Sequence, residues 1–171
     1  EETLTCIWNM SLGFESILDF SELKVMQTFR SLIQSALTNL LFFLENNPIL
    51  GRGDFTCYLQ KKIILSILWS FGGQFCNSSL LKFIEALCSI SKIQKVVGDV
   101  PLDELPYMDV ELPNGTFKKE RTSSFEMQPH MILNPNVIIP TLDTAVYKSL
   151  IYSFLQQHNP VILCGPPGSG K

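Results

Sequence analysis

The sequence lacks the signatures of several common classes of protein. No apolar run approaches the roughly 18 residues that a membrane-spanning helix needs. The N-terminus has neither the basic segment nor the apolar core of a secretory signal peptide. There is no block of basic residues and the net charge is -3, so binding to nucleic acid is not expected.

Cysteine and histidine are too few and too scattered to predict a disulfide framework or a metal site. The five cysteines are odd in number and form no C-x-x-C pair. Of the two histidines, His130 has no evident role, and His158 is predicted to cap the C-terminal end of a helix. We therefore predict free thiols, no metal held by these residues, and a reducing, cytoplasmic environment.

The sequence has enough apolar residues to form a folded core. Of its 171 residues, 46% are hydrophobic and 17% are charged, which predicts one domain or two small ones and not a disordered chain. The chain begins at Glu1 without an initiator methionine, so we expect it to be part of a longer protein.

The most specific pattern is a phosphate-binding loop (P-loop) at the end of the sequence. Glycines let backbone N–H groups approach the oxygens of a polyphosphate, and the lysine would reach the β- and γ-phosphates. A Ser or Thr normally follows this lysine, but the chain ends first. The residues predicted to bind phosphate match G-x-x-x-x-G-K, and they are Gly165, Pro166, Pro167, Gly168, Ser169, Gly170 and Lys171.

Such a loop is expected only between a buried strand and a helix. The apolar residues 161–164 predict that strand, and the helix would follow Lys171. The alternative is a chance Gly/Pro-rich turn that happens to end in lysine.

Three amphipathic helices are predicted before residue 98, and together they form a small bundle. The first begins at a capping box from Asp19 to Glu22 and ends before Pro48. The second has Asp54 as its N-cap and stops after Gly72. The helical spacing of apolar residues indicates core faces, although ligand-binding faces are the alternative. The predicted faces are Met26, Phe29, Ile33, Ala36, Leu37, Leu40 and Leu44; then Leu59, Ile63, Ile64, Ile67, Leu68 and Phe71; and, after caps at 77–79, Leu80, Leu81, Ile84, Leu87 and Cys88.

Residues 99–136 are predicted to form a proline-rich connector, since six of the ten prolines lie between Pro101 and Pro140. Alternating apolar residues from Met108 to Leu112, followed by Asn-Gly at 114–115, predict a short hairpin. Residues 118–124 are expected to be exposed, although their basic cluster could instead contact a partner.

Regular structure is predicted to resume with a helix capped by Thr141, with Asp143 in its first turn. This helix should end at residues 158–160. Its predicted apolar face is Tyr147, Leu150, Ile151, Phe154 and Leu155.

The order of these elements resembles tandem AAA+ ATPases, in which the helical small subdomain of one unit leads into the large subdomain of the next. Three segments resemble the cytoplasmic dynein heavy chain family in particular. Residues 67–73 are similar to the I-x-W-S-x-G-G segment of its second unit, and residues 137–144 to the V-P-T-x-D-T entry to its third unit. Residues 161–171 are similar to the third unit's L-C-G-P-P-G-S-G-K, and the resemblance covers residues 59–171.

The resemblance implies a mainly α fold in three parts. Residues 1–98 would be a helical AAA+ small subdomain, residues 99–136 the connector with its hairpin, and residues 137–171 the start of an α/β large subdomain. The residues that flank the adenine would be Val137, Ile138, Ile139 and Pro140, although burial in a core explains their apolar character equally well.

The resemblance also implies a function. The parent protein would be an ATPase that moves toward microtubule minus ends, and its third nucleotide site would be mainly regulatory. The implied cofactors are ATP or ADP and Mg²⁺. The implied partners are microtubules, neighbouring AAA+ units, accessory chains and a second heavy chain, at a cytoskeletal location in the cytoplasm.

The chain departs from the family pattern in two respects. Val146 stands where members often carry a basic residue. The remaining catalytic groups, including the metal ligands, would lie outside these 171 residues, so the chain alone should be inactive. Two alternatives stay open, namely another P-loop enzyme (a helicase, transporter ATPase or kinase) and a non-enzymatic helical adaptor with a degenerate P-loop.

Overall fold

The computed structural model describes residues 2–17, 21–47, 55–119 and 141–162. In these ranges, none of the helices is long and apolar enough to cross a membrane. The elements, in chain order, are helices α1 (Glu2–Ser11), α2 (Glu22–Asn46), α3 (Thr56–Gly72), α4 (Asn77–Cys88) and α5 (Ser91–Val97), a 3₁₀ turn (Leu105–Tyr107), strands β1 (Met108–Glu111) and β2 (Thr116–Lys119), and helix α6 (Leu142–Gln156).

Helix α3 is the centre of the fold. It contacts α1, α2, α4, α5, the 3₁₀ turn and β1. Its second half is buried on most sides, and Leu68 and Phe71 are almost completely inaccessible to solvent. A helix that is apolar around most of its circumference is typical of the middle of a packed domain. This arrangement confirms the predicted mainly helical bundle.

Aromatic rings fill the space between α3 and α4. The Phe71 and Phe83 rings are stacked with centroids 6.5 Å apart, and Phe75 meets Phe83 edge-on at 5.4 Å. Gly72 makes this approach possible, because a Cβ there would lie 2.7 Å from the Leu80 side chain and 3.3 Å from Phe83. The Gly-Gly pair therefore ends α3 and also admits α4.

The helix ends were predicted better than the helix starts. Helix α2 ends at Asn46 and α3 at Gly72, as predicted. The predicted capping box was wrong, because the N-cap position of α2 is Ser21 and its side chain makes no capping hydrogen bond. Asp54 was likewise wrong as the N-cap of α3, since Phe55 occupies that position. Proline and glycine change the backbone at their own position, so they mark a helix end directly. Several polar residues near a helix start can each serve as the N-cap, so the sequence does not show which of them begins the helix.

The predicted core faces were partly wrong. Met26, Leu37, Ile63 and Leu81 are exposed, although each was assigned to a core face. The buried face of α2 is shifted around the helix. It consists of Val25, Ser31, Leu32, Ser35, Ala36 and Leu40. Because α2 carries apolar residues around much of its circumference, its packing partners decide which of them are buried.

The sequence did not reveal three short elements, namely α1, α5 and the 3₁₀ turn. Helix α1 places Ile7 fully in the core, and its Trp8 ring meets Phe71 edge-on at 6.2 Å. Helices of seven to ten residues present only a few apolar positions, so their periodicity is hard to detect.

The predicted hairpin is confirmed. Strands β1 and β2 are antiparallel, with Glu111 opposite Thr116 and Val110 opposite Phe117. Gly115 has a φ of +65° and approaches α3 so closely that a Cβ would lie 2.7 Å from the Tyr58 backbone nitrogen. The carbonyl of Gly115 also accepts a hydrogen bond from Lys61 Nζ at 2.8 Å. The hairpin is therefore seated on the first turns of α3.

Charged side chains of the hairpin are exposed, as predicted for its basic end. Lys118 pairs with Glu111, and Lys119 lies 2.6 Å from Glu104. Exposed pairs of this kind contribute little stability, on the order of 0–1 kcal/mol each. The rest of the predicted polar stretch, residues 120–124, lies outside the described residues.

Helix α6 is confirmed, and Thr141 caps it. The Thr141 hydroxyl accepts a hydrogen bond from the Thr144 backbone at 3.2 Å, and the Thr144 hydroxyl accepts one from the Thr141 backbone at 2.7 Å. The predicted apolar face was partly wrong, because Tyr147 and Leu155 are exposed and Val146 is the buried residue.

The strand predicted at 161–164 is not formed by its two described residues. Val161 and Ile162 have no regular structure, and Ile162 is 84% exposed. A strand needs a neighbour to pair its backbone groups, and within the described ranges the only ladder joins β1 to β2.

Candidate functional site

Both groups of predicted site residues lie outside the described residues. The P-loop occupies residues 165–171, and the adenine-flanking residues are Val137 to Pro140. In the sequence they lie on either side of the described span 141–162. The structure therefore shows how the segment between them, formed by α6 and the turn after it, is held against the helical bundle.

Aromatic side chains hold the first half of α6. Val146 is buried, and the Tyr147 ring meets Trp69 of α3 edge-on with centroids 6.1 Å apart. Tyr107 of the 3₁₀ turn hydrogen-bonds to Asp143, and its pKa is raised by burial and then by the charge of that carboxylate. The helix start is thus fixed to both α3 and the 3₁₀ turn.

The end of α6 is a Schellman turn. His158 has a φ of +55°, the left-handed conformation that glycine usually supplies at this position. The backbone N–H of His158 donates to the Leu155 carbonyl at 3.0 Å, and that of Asn159 donates to the Phe154 carbonyl at 3.0 Å. This geometry confirms the predicted C-terminal capping role of His158, which acts through its backbone.

Polar side chains hold the second half of α6 against α2. The Ser35 hydroxyl donates to Gln156 Oε1 at 3.3 Å. The Asn159 amide donates to the Ser31 hydroxyl at 2.7 Å. These two contacts join residues separated by more than 100 positions in the sequence, so no local pattern could have indicated them.

A polar cavity of about 140 Å³ lies beside these contacts, between α2, α3, α6 and β1. It is lined by hydroxyls and amides and by the ion pair of Lys62 with Asp109. Its lining includes Ser35, Asn39, Ser66, Ser149, Ser153 and Gln156. A cavity with these polar walls is suited to ordered water. The α2–α6 contact is therefore polar on this side, whereas on its other side Leu150, Ile151 and Phe154 line an apolar pocket with Val25 and Leu32 of α2.

The described residues contain few groups with altered acidity. Hydrogen bonds with Ser78 and Ser79 lower the pKa of Cys76 to about 7. Burial and the charge of Asp109 raise the pKa of Tyr58 to about 12, and its hydroxyl donates to the Ala36 carbonyl. In the part of the chain that the structure describes, no cluster of His, Cys, Asp or Glu could hold a metal ion.

A family model described as the dynein heavy chain AAA lid domain matches residues 3–131. The chain belongs to the dynein heavy chain family. The match covers α1 to α5 and the hairpin, which corresponds to a helical lid with a small antiparallel sheet. It confirms the fold class and the resemblance.

Individual dynein heavy chains are similar over most of the chain. The cytoplasmic dynein heavy chain of Drosophila melanogaster is 31% identical over 170 residues, which is 92% of this chain and 3% of that protein. That of Fusarium vanettenii is 31% identical over 93% of this chain and 4% of its own length, and that of Dictyostelium discoideum 29% identical over 91% and 3%. The chain thus spans 3–4% of the length of these relatives. The alternatives of another P-loop enzyme and a degenerate adaptor are not favoured.

The structure gives physical roles to the dynein-like segment at residues 67–73. Phe71 fills the core, Gly72 admits α4, and Trp69 contacts Tyr147 of α6. The segment is thus a packing junction between the lid and α6.

Sequence reasoning missed Ser31 and Ser35, which bind the end of α6. The only indication in the sequence was that two serines, one helical turn apart, interrupt an apolar face of α2. They lie on the face that carries Val25 and Leu32, where apolar residues would be expected.

Proposed function

We propose that this chain joins two successive AAA+ units of a dynein heavy chain and carries the P-loop of the later one. In this proposal, residues 1–98 are the lid of the second unit, residues 99–136 the connector, and residues 137–171 the start of the third unit. The observation that supports it is the order of elements. A chain matched to the dynein AAA lid continues through a capped helix toward a G-x-x-x-x-G-K sequence.

The donor set of this loop fits a nucleotide polyphosphate. Backbone N–H groups of Gly165 to Gly170 would surround the phosphates, and Lys171 would supply a positive charge at the β- and γ-phosphates. Val137 to Pro140 would lie beside the adenine of ATP or ADP. Mg²⁺ neutralises phosphate charge when bound, and its ligands are assigned to the rest of the heavy chain.

In the parent protein, the site would regulate an ATP-driven motor that moves toward microtubule minus ends. The partners would be microtubules, neighbouring AAA+ units, dynein accessory chains and a second heavy chain, in the cytoplasm on the cytoskeleton. The chain alone is expected to turn over no ATP. Phosphoryl transfer also needs a metal-binding acid and a group that positions water, and none of the residues assigned here supplies them.

The test is the nucleotide affinity of the parent heavy chain with Lys171→Ala. A hydrogen bond to a charged group contributes on the order of 1.5–3 kcal/mol, so affinity at this site should fall by roughly tenfold to a hundredfold. Lys148→Ala is the matched control, because Lys148 is an exposed lysine on α6 and should leave binding unchanged. Equal nucleotide binding by wild type and Lys171→Ala would refute the proposed site.

A further inference from the structure

The docking of α6 on α2 relies on polar side chains at positions where a buried helix interface usually has apolar ones. Ser31 and Ser35 are 5% and 3% exposed, respectively, and lie one helical turn apart. Among the described residues of α6, only Val146 is buried. Leu150, Ile151 and Phe154 are half-buried and line a second pocket together with Val25 and Leu32 of α2. Apolar packing and the hydrogen bonds of the two serines therefore place this helix together.

Each of the two serines has a defined role as hydrogen-bond donor or acceptor toward α6 and the turn after it. The Ser31 hydroxyl accepts from the Asn159 amide at 2.7 Å and donates to the Gln27 carbonyl at 2.9 Å. The Ser35 hydroxyl donates to Gln156 Oε1 at 3.3 Å. If α6 moved by one residue along α2, both interhelical bonds would break. The buried Ser35 would then lose its partner, and Ser31 would keep only its bond to Gln27, so the two pairs favour this register of the helices.

These contacts lie close in sequence to the predicted phosphate loop. Asn159 is six residues before Gly165, and the Schellman turn fixes the direction in which the chain leaves α6. The position of Asn159 therefore sets where the chain starts toward the predicted loop.

We propose that Ser31 and Ser35 are positioning residues for the nucleotide site. With Gln156 and Asn159 they form a latch, here called the α2–α6 latch, that holds the end of α6, from which the chain leads toward the P-loop. The inference rests on the proposed function of the P-loop. Because linkage is reciprocal, nucleotide at the loop favours the closed latch, and loss of the latch lowers the fraction of molecules ready to bind.

The experiment measures binding of fluorescent ADP to the parent heavy chain. Any binding component that Lys171→Ala removes is assigned to this P-loop. In the Ser31→Ala/Ser35→Ala variant, the affinity of that component should fall by about three- to tenfold. Ser66→Ala is the matched control. Ser66 is also a buried serine that lines the same cavity, but within the described ranges its hydroxyl bonds only inside α3, to the Lys62 carbonyl at 2.7 Å. It should leave the affinity unchanged.

Asn159→Ala provides a second route, since Asn159 is only half-buried and the fold should tolerate the change. It should weaken ADP binding when Ser31 is present and have no further effect in a Ser31→Ala background. Unchanged affinity in the serine and Asn159 variants, or an equal loss in Ser66→Ala, would overturn the latch. If wild type and Lys171→Ala bind ADP with the same components, the proposed function is wrong, and the proposed role of the latch is wrong as well.

Discussion

Gly115 is a residue at which one added carbon should strongly destabilise the fold. Its φ of +65° is unfavourable for other residues, and a Cβ would lie 2.7 Å from the Tyr58 nitrogen and 3.0 Å from the Cys57 carbonyl carbon. These are backbone atoms of α3, which cannot shift independently. Gly115→Ala should therefore lower the free energy of unfolding by about 2–4 kcal/mol, measured by urea denaturation.

Gly98→Ala separates the two causes. Gly98 has nearly the same φ, +67°, but a Cβ there would meet nothing within 4 Å. Its ψ of -137° lies outside the left-handed helical region, so Gly98→Ala should show a conformational penalty alone, of about 1–3 kcal/mol. Equal losses at the two positions would mean that the contact between the hairpin and α3 is unimportant.

Tyr58 should make the chain sensitive to alkaline pH. Its pKa is raised from 10.0 in the unfolded chain to about 12 by burial and by Asp109, so the folded state holds the phenol proton more tightly. The corresponding stability is complete below pH 10 and is lost as the pH rises toward 12. The expected slope is at most about 1.4 kcal/mol per pH unit.

Tyr58→Phe isolates this effect, because phenylalanine does not titrate. The free energy of unfolding should be compared between wild type and variant at several pH values from 8 to 11, which are chosen to bracket the unfolded-state pKa. The difference between them should shrink as the pH rises above 10. A constant difference would show that Tyr58 is not buried as described.

At the scale of elements, the end of α6 should be improvable. His158 adopts a left-handed conformation in the Schellman turn, and its side chain is exposed. His158→Gly removes the steric penalty and should stabilise the chain by about 0.5–1 kcal/mol, measured by urea denaturation. Gln157→Gly is the control, since Gln157 has a φ of -94° and gains nothing from glycine. It should destabilise the chain, and stabilisation by both changes would contradict the assigned turn.

The elements differ in how far the sequence predicts them. The hairpin and the ends of α2 and α3 follow from proline, which fixes its own φ, and from glycine and Asn-Gly, which allow turns that other residues rarely adopt. The buried side of α2 does not follow in this way, because Met26 and Leu37 are as apolar as Val25 and Leu40, and only the position of α3 and α6 decides between them. The segment at 161–162 is apolar enough for a strand, but apolar sequence alone does not pair backbone groups.

The same distinction applies to the candidate site. The P-loop is recognisable because its chemistry is contained in seven consecutive residues, although they lie outside the described part of the structure. The α2–α6 latch is not recognisable, because Ser31 and Asn159 are 128 residues apart and neither residue type is unusual at its position, in α2 or in the turn after α6. Contacts between distant elements become visible only in three dimensions.

At the scale of the whole molecule, the chain links a dynein-type lid to a predicted nucleotide loop. Helix α3 contacts most of the lid elements, and through Trp69 it also contacts α6. Because packed helices move as units, a conformational change at the loop that displaced α6 would also displace the lid helices in contact with it. Such a connection is compatible with the regulatory role that we propose for the site.

The speed at which the parent motor moves microtubules in a gliding assay is the measurement that decides this role. With Lys171→Ala, the first AAA+ unit should still hydrolyse ATP, but the weakened third site should fail to promote release of the microtubule. We therefore predict gliding that is severalfold slower than wild type and not abolished, with Lys148→Ala moving at the wild-type speed. Wild-type speed in the Lys171→Ala motor would contradict a nucleotide site at this loop, and complete loss of movement would contradict a regulatory one.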